Sequence, residues 1–252
     1  MAELRLIALP GIPLIQPGDD LARVLLDALK AAELTLEAGD VLVVTSKIVS
    51  KAEGRIVALA GVTPGARAHE LAAQTGKDPR IVELVLREST GVSRVAPNVL
   101  VVEHRLGFVS ANAGIDQSNL EGGDERVLLL PVDPDRSAVE LRQRLMDATG
   151  LAVGIVISDS HGRPFRLGNV NVAIGVAGLP ALIDLRGHPD LFGRILKISI
   201  QAYADMVASA AGLLTGEGAE GLPVVLVRGL TYPPLDGRAV QLNRPAAQDL
   251  YR

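Results

Sequence analysis

Residues 158–166 read SDSHGRPFR and follow directly on the apolar run AVGIVI at 152–157. Asp159 and Ser160 carry hard oxygen donors of the kind a divalent cation takes. Arg163 and Arg166 carry planar, permanently charged groups suited to bidentate contact with phosphate or carboxylate. An unpaired carboxylate emerging at the rim of an apolar core is costly, and a bound cation would remove that cost. His161 lies in the same stretch without a second histidine at metal-ligand spacing, and is read as an orienting or exposed loop residue.

Three further clusters carry compatible chemistry. VVTSKIVSKAEGR at 43–55 puts Thr45, Ser46, Lys47, Ser50 and Lys51 at the end of an apolar run. Hydroxyls and ammonium groups there can donate to phosphate oxygens, or simply form a solvated strand-to-helix turn, and the glycine pattern of a Walker A loop is absent. FVSANAGIDQSNLEGGD at 108–124 carries Asp116 and Asn119, which suit a cation ligand with its neighbour or a hydrogen-bonded turn. GLLTGEGAEGLPVVLVRG at 212–229 sets Glu217 among Gly216, Gly218 and Gly221. That loop could complete a metal site or wrap a nucleotide, and it reads equally as a helix cap before a strand.

The elements that must position these clusters are short. Strand-like apolar runs fall at 4–9, 40–46, 99–104, 126–132, 152–158, 170–176 and 223–229. Helical patterns fall at 19–32, 66–75, 79–90 and 135–150, and a long one runs from 190 to 214, Ala-rich toward its end and open to a kink at Gly193. Consecutive strands near 99–110 and 170–187 argue against a simple βαβ series. The expectation is an α+β fold of mixed β-sheets with packed helices, neither a Walker-type P-loop nor a Rossmann fold. Residues 1–252 are read as one unit of two tightly joined lobes.

Composition narrows the function classes. The 252 residues are 48% hydrophobic with a net charge of -4 and no basic stripe, which argues against a nucleic-acid partner. There is no cysteine, so disulfides and thiol catalysis are excluded, in keeping with a cytoplasmic protein. No stretch approaches the roughly 18 apolar residues of a membrane span. The opening MAELRLIALPGIP, with Glu3, fits a first strand better than a signal peptide. Aromatics are 2% of the chain, so ligand recognition by stacking is a poor prospect.

In order along the chain, PGIPLI, GDVLVVTSKIVSKAEGR, GIDQSN, SDSHGRPFRLG with VAIGVAG, DLRGHPDLFGR, LLTGEG, VVLVRG and the terminal RPAAQDLYR resemble the coenzyme F420-0:L-glutamate ligase family. The resemblance implies a GTP-dependent ligase. It would form an amide between L-glutamate and the phospholactyl carboxylate of F420-0 through an acyl phosphate, with further γ-linked glutamates added by some members. It implies that Pro10, Gly11, Ile12 and Pro13 form a nucleotide loop, with Thr45, Ser46, Lys51, Asn119 and the loop from Thr215 to Leu222 (Gly216, Gly218 and Gly221 included) as further GTP contacts. Asp116 and Asp159 would hold one metal, and Ser160 with Glu217 a second. Two divalent cations, Mg2+ or Mn2+, are therefore expected, with K+ as a candidate monovalent cation and GTP as co-substrate. Arg163 joins Asp116 and Asp159 as an expected catalytic group. A homodimer is expected, and no C-terminal flavin-reductase-like domain. A metal-dependent phosphohydrolase and an inactive GTP-binding protein are the competing readings; glutamate dependence separates the first, and absence of turnover the second.

Overall fold

The computed structural model describes residues 3–249. In chain order the elements are β1 (Arg5–Ala8), α1 (Leu21–Ala31), β2 (Val41–Thr45), α2 (Ser46–Ala52), β3 (Ile56–Ala58), α3 (Ala66–Thr75), α4 (Pro79–Arg87), β4 (Ser89–Ala96), β5 (Val99–His104), β6 (Val109–Ala111), β7 (Arg126–Leu128), α5 (Pro134–Thr149), β8 (Gly154–Arg163), β9 (Arg166–Ala177), β10 (Ile183–Asp184), β11 (Ile200–Gln201), α6 (Tyr203–Thr215) and β12 (Val224–Arg228). Three helices start on an aspartate: the side chains of Asp20, Asp78 and Asp133 accept the backbone N–H of Arg23, Arg80 and Arg136, satisfying one of the free donors of the first turn.

The centre is a mixed sheet in the order β1-β12-β2-β8-β9. Only β2 and β8 run parallel; every other neighbouring pair is antiparallel. Both faces are covered, which is why β2 and β12 read as unbroken apolar runs rather than alternating ones. Leu42, Val44, Ile155, Ile157 and Leu226 face Leu25 and Leu29 of α1 and Leu141 and Leu145 of α5. Val41, Val43, Val156, Val225 and Val227 face Ala204, Val207, Ala208 and Ala211 of α6, whose small side chains let the helix lie close. On the α5 side the close approach is enforced at Gly175, where a Cβ would stand 2.2 Å from the Pro134 carbonyl oxygen. A second body of structure, α3 and α4 with the sheet β4-β5-β6 and the pair β3-β7, has its own apolar clusters. Glu88 ties it in, taking ion pairs of 2.9 Å from Arg55 and 2.9 Å from Arg105.

The fold is α+β, as the sequence implies, and four local expectations are corrected. The helical pattern at 190–214 is a helix only over Tyr203–Thr215; residues 185–199 form an arm between β10 and β11, which pair with each other. Residues 158–163 are not a loop but the outer half of β8, so His161 stands on a strand. Residues 46–52 form α2 outright, and the helix expected over 79–90 stops at Arg87 before β4, which the sequence did not announce. Among the described residues no helix is long and apolar enough to cross a membrane. Residues 250–252 of the RPAAQDLYR segment lie outside the described residues.

Candidate functional site

Strand register assembles the site. In the parallel pair β2-β8, Thr45 stands beside Ser158, so the next residues on each strand meet: Ser46 Oγ donates to Asp159 Oδ1 at 2.6 Å. The antiparallel neighbour β12 begins at the same end, where Thr45 N donates to the Pro223 carbonyl at 2.9 Å and Leu9 N to the Val224 carbonyl at 2.9 Å. The segment Pro10, Gly11, Ile12 and Pro13 after β1, the pair Thr45–Ser46, the pair Asp159–Ser160, and Gly221–Leu222 ahead of β12 therefore all emerge at one edge of the sheet. Gly11 is in the left-handed region at φ 75, and Ile12 anchors that loop on the core.

Residues 112–125 are drawn to this edge by polar contacts. Asp116 exchanges backbone hydrogen bonds with Leu128, at 3.1 and 2.8 Å. From α2, Lys47 Nζ lies 2.6 Å from Asp116 Oδ2, and Lys51 Nζ donates to the Asn119 carbonyl at 2.8 Å. Asn119, left-handed at φ 56 as asparagine tolerates, donates from Nδ2 to the Gly218 carbonyl at 3.1 Å. One seven-residue helix thus holds the loop that in turn clasps the segment after α6.

The electrostatics follow from these partners. Burial would raise the Asp116 pKa, but the Lys47 ammonium and the Ser118 N–H and hydroxyl outweigh it and hold the carboxyl below its ordinary range. Lys51 is pushed down, first by burial and then by the neighbouring Lys47 charge, with Glu121 and Asp116 opposing.

Side chains alternate across the pleat, so Asp159 and Ser160 serve opposite faces of β8. On one face, Asp159 Oδ2 lies 3.2 Å from His161 Nε2, and the His161 ring tilts against Phe108, centroids 4.9 Å apart. Phe108 stacks in parallel on the buried His104. On the other face, Ser160 Oγ donates to Glu217 Oε1 at 2.6 Å. Asn171 backs this pair from β9, its carbonyl accepting from Ser209 Oγ of α6 at 2.7 Å.

Of the expected metal donors, Ser160 and Glu217 touch, whereas Asp116 is held by Lys47 and Asp159 by Ser46 and His161. Among the described residues no group of three or more His, Cys, Asp or Glu side chains gathers at one point. The donor set, all oxygen, is nevertheless the chemistry that Mg2+ or Mn2+ takes, and a cation already stands at Asp116 in the form of the Lys47 ammonium. Asp159 and Ser160 could not serve a single ion from opposite faces, so the residues fit two incomplete shells whose remaining positions would fall to ligand or water oxygens. Three buried hydroxyls beside this edge, those of Ser50, Ser158 and Thr215, have no hydrogen-bond partner.

Arg163 stands apart from this convergence: its Nη2 donates to the Leu167 carbonyl at 2.7 Å across its own hairpin. Gly216 caps α6 at φ 65 and ψ -173, a conformation open essentially to glycine alone. Gly218 N donates to Glu220 Oε2 at 2.8 Å. Sequence reasoning passed over Glu220, and it had no means of seeing the Lys47–Asp116 pair or the His104–Phe108–His161 stack. Lys47 and His161 each stand in a strand-end cluster that the sequence marks; their partners across the fold do not show in any local segment.

A model of the F420-0:gamma-glutamyl ligase family matches residues 11–229. The chain is 46% identical to the coenzyme F420:L-glutamate ligase of Methanopyrus kandleri, with 100% of each chain covered. It is 44% identical to the protein of that name from Methanothermobacter thermautotrophicus, with 99% of each covered. Against that of Archaeoglobus fulgidus it is 45% identical over 96% of this chain and 94% of the relative.

Proposed function

The chain belongs to the F420-0:gamma-glutamyl ligase family, and from that premise we propose that it is a ligase joining L-glutamate to coenzyme F420-0, driven by GTP, in F420 biosynthesis. The observation that carries the reading is the meeting of separate polar clusters at one sheet edge, fixed by the β2-β8 register and the 2.6 Å contact of Ser46 with Asp159.

A carboxylate does not condense with an amine unaided, because its oxygen is a poor leaving group. In the proposed reaction a carboxylate oxygen of the F420-0 tail attacks the γ-phosphorus of GTP, the bond to the bridging oxygen breaks, and GDP leaves. The glutamate amine then attacks the acyl carbon. A C–N bond forms, the C–O bond to phosphate breaks, and phosphate departs as the amine gives up its proton to solvent. Nothing in this sequence requires a covalent bond to the protein, so the protein's part is positioning and charge stabilisation. Lys51, in the last turn of α2, would donate to phosphate oxygens as a point charge. Asn119 and the loop from Thr215 to Leu222, joined by the Asn119–Gly218 hydrogen bond, would contact the nucleotide. Asp116 with Asp159, and Ser160 with Glu217, would hold divalent cations, which neutralise phosphate charge when bound.

The assembly we propose is a homodimer. The arm between β10 and β11 exposes Leu191 (98%), Phe192 (96%) and Ile198 (88%), apolar surface that a second copy would cover.

The deciding experiment incubates purified protein with F420-0, L-glutamate, GTP and Mg2+, omitting each in turn, and weighs the products. Product heavier by one or more glutamyl units only when all four are present supports the reading. Phosphate release without glutamate dependence would replace it with a phosphohydrolase.

A further inference from the structure

Lys47 has no role in the reaction as proposed above, yet it occupies the most exacting position in the site. Its Nζ is 2.6 Å from Asp116 Oδ2 and 2.6 Å from Ser118 Oγ. The Ser118 hydroxyl donates to the same Oδ2 at 2.9 Å, and the Ser118 N–H donates to Oδ1 at 2.8 Å. Oδ2 therefore already has two donors, as many as its lone pairs accommodate. A divalent cation binds a carboxylate oxygen at about 2.1 Å, inside the space that the ammonium fills, and the two positive charges would repel at that range. An ammonium on a four-carbon stem can leave, however, if another anion receives it. The Lys47 side chain is 34% exposed at the edge where the phosphate-binding groups converge, and Lys51 stands close enough to repel it.

We propose that Lys47 is the exchangeable counter-ion of Asp116: it keeps a divalent cation out of the free site and passes to a nucleotide phosphate on binding, so that cation and nucleotide enter together. The inference rests on the nucleotide-dependent reading above and adds to it an order of events. A salt bridge that merely braced the 112–125 loop would affect folding but would not govern cation affinity.

The test is Mn2+ binding, followed by loss of the free-ion electron paramagnetic resonance signal, with the full chain and no F420-0 or glutamate. Wild type without nucleotide should bind Mn2+ weakly and bind it tighter when GTP is added. Lys47→Met should bind Mn2+ without nucleotide at least about tenfold tighter than wild type, the smallest effect expected of a close charge pair. Lys47→Arg, which keeps the charge, should resemble wild type, and adding Asp116→Asn to Lys47→Met should abolish the gain. Lys47→Gln serves as the neutral variant should Lys47→Met not fold. A neutral variant that binds Mn2+ no tighter than wild type overturns the proposal. Gain in the variant with no effect of GTP on wild type would uphold the counter-ion and sink the GTP reading; a GTP effect without gain would do the reverse.

Discussion

Acidifying the protein from pH 7 to pH 4 should remove about 3 kcal/mol of stability through His104 alone. The ring is 1% exposed, and its pKa is lowered from 6.5 to about 4, first by burial and then by the Arg105 charge, with Glu88 opposing. Leu106 N donates to Nδ1 at 3.0 Å, which places the single proton of the neutral ring on Nε2, and Glu88 Oε2 at 3.9 Å is too distant to reward a second proton with a hydrogen bond. The sign follows from proton counting. Between about 4 and 6.5 the unfolded chain binds a proton at this residue that the folded one refuses, so stability falls as pH falls through that window and is flat, on this account, outside it. Each pH unit within it is worth about 1.4 kcal/mol, and the window amounts to about 3 kcal/mol. Urea unfolding at half-unit steps from pH 7 to 4, for wild type and His104→Phe, isolates the effect, because other carboxylates titrate in both. The variant leaves the Leu106 N–H unpaired, a constant cost of about 1 to 3 kcal/mol. Its curve should start below wild type and the gap should close, or reverse, toward pH 4. Two curves that stay parallel within about 1 kcal/mol would refute the reasoning.

Asp159→Asn should lower ligase turnover by about a hundredfold or more while shifting the thermal midpoint by only a few degrees, measured by product mass and calorimetry; a folded, fully active variant would defeat the cation assignment. Gly175→Ala should destabilise the protein by about 2 kcal/mol or more in urea, because the new Cβ must move the Pro134 carbonyl that now lies 2.2 Å from its position. Gly216→Ala should cost about 1 to 3 kcal/mol of backbone strain at φ 65, ψ -173 and raise the KM for GTP more than the KM for glutamate. Phe192→Asp with Leu191→Asp should convert the proposed dimer to a monomer in light scattering, with helix content unchanged.

The parts of the fold legible in the sequence were those set by local chemistry. Helical patterns announced α1, α4 and α5, and short apolar runs announced β2 and β12 as strands. The arm was misread for an instructive reason: Leu191, Ile195 and Ile198 repeat at helical spacing, but 98%, 51% and 88% exposed they have no face to bury in this chain, and Gly193 at φ 81 turns the backbone instead. Conversely, Ile48 and Val49 in α2 have β-branched side chains that argue weakly against a helix, and their burial against the core overrides that preference.

The site divides along the same line. Each polar cluster was visible as an apolar run ending in residues a core strand does not need. What no single segment contains is the register that sets Thr45 beside Ser158, since that depends on a parallel pairing across α2 to α5 of intervening chain. Shifting β8 by one residue would turn Asp159 to the α6 face and Ser160 toward Ser46, exchanging the two half-shells. The core opposes that slip, because Ile155 and Ile157 would leave the α1/α5 cluster together for the face where the small side chains of α6 pack close, and overpacking there costs about 1 to 3 kcal/mol. Aliphatic residues far from any phosphate therefore fix which carboxylate meets which hydroxyl, and the precision of the polar edge is a property of the apolar strands behind it.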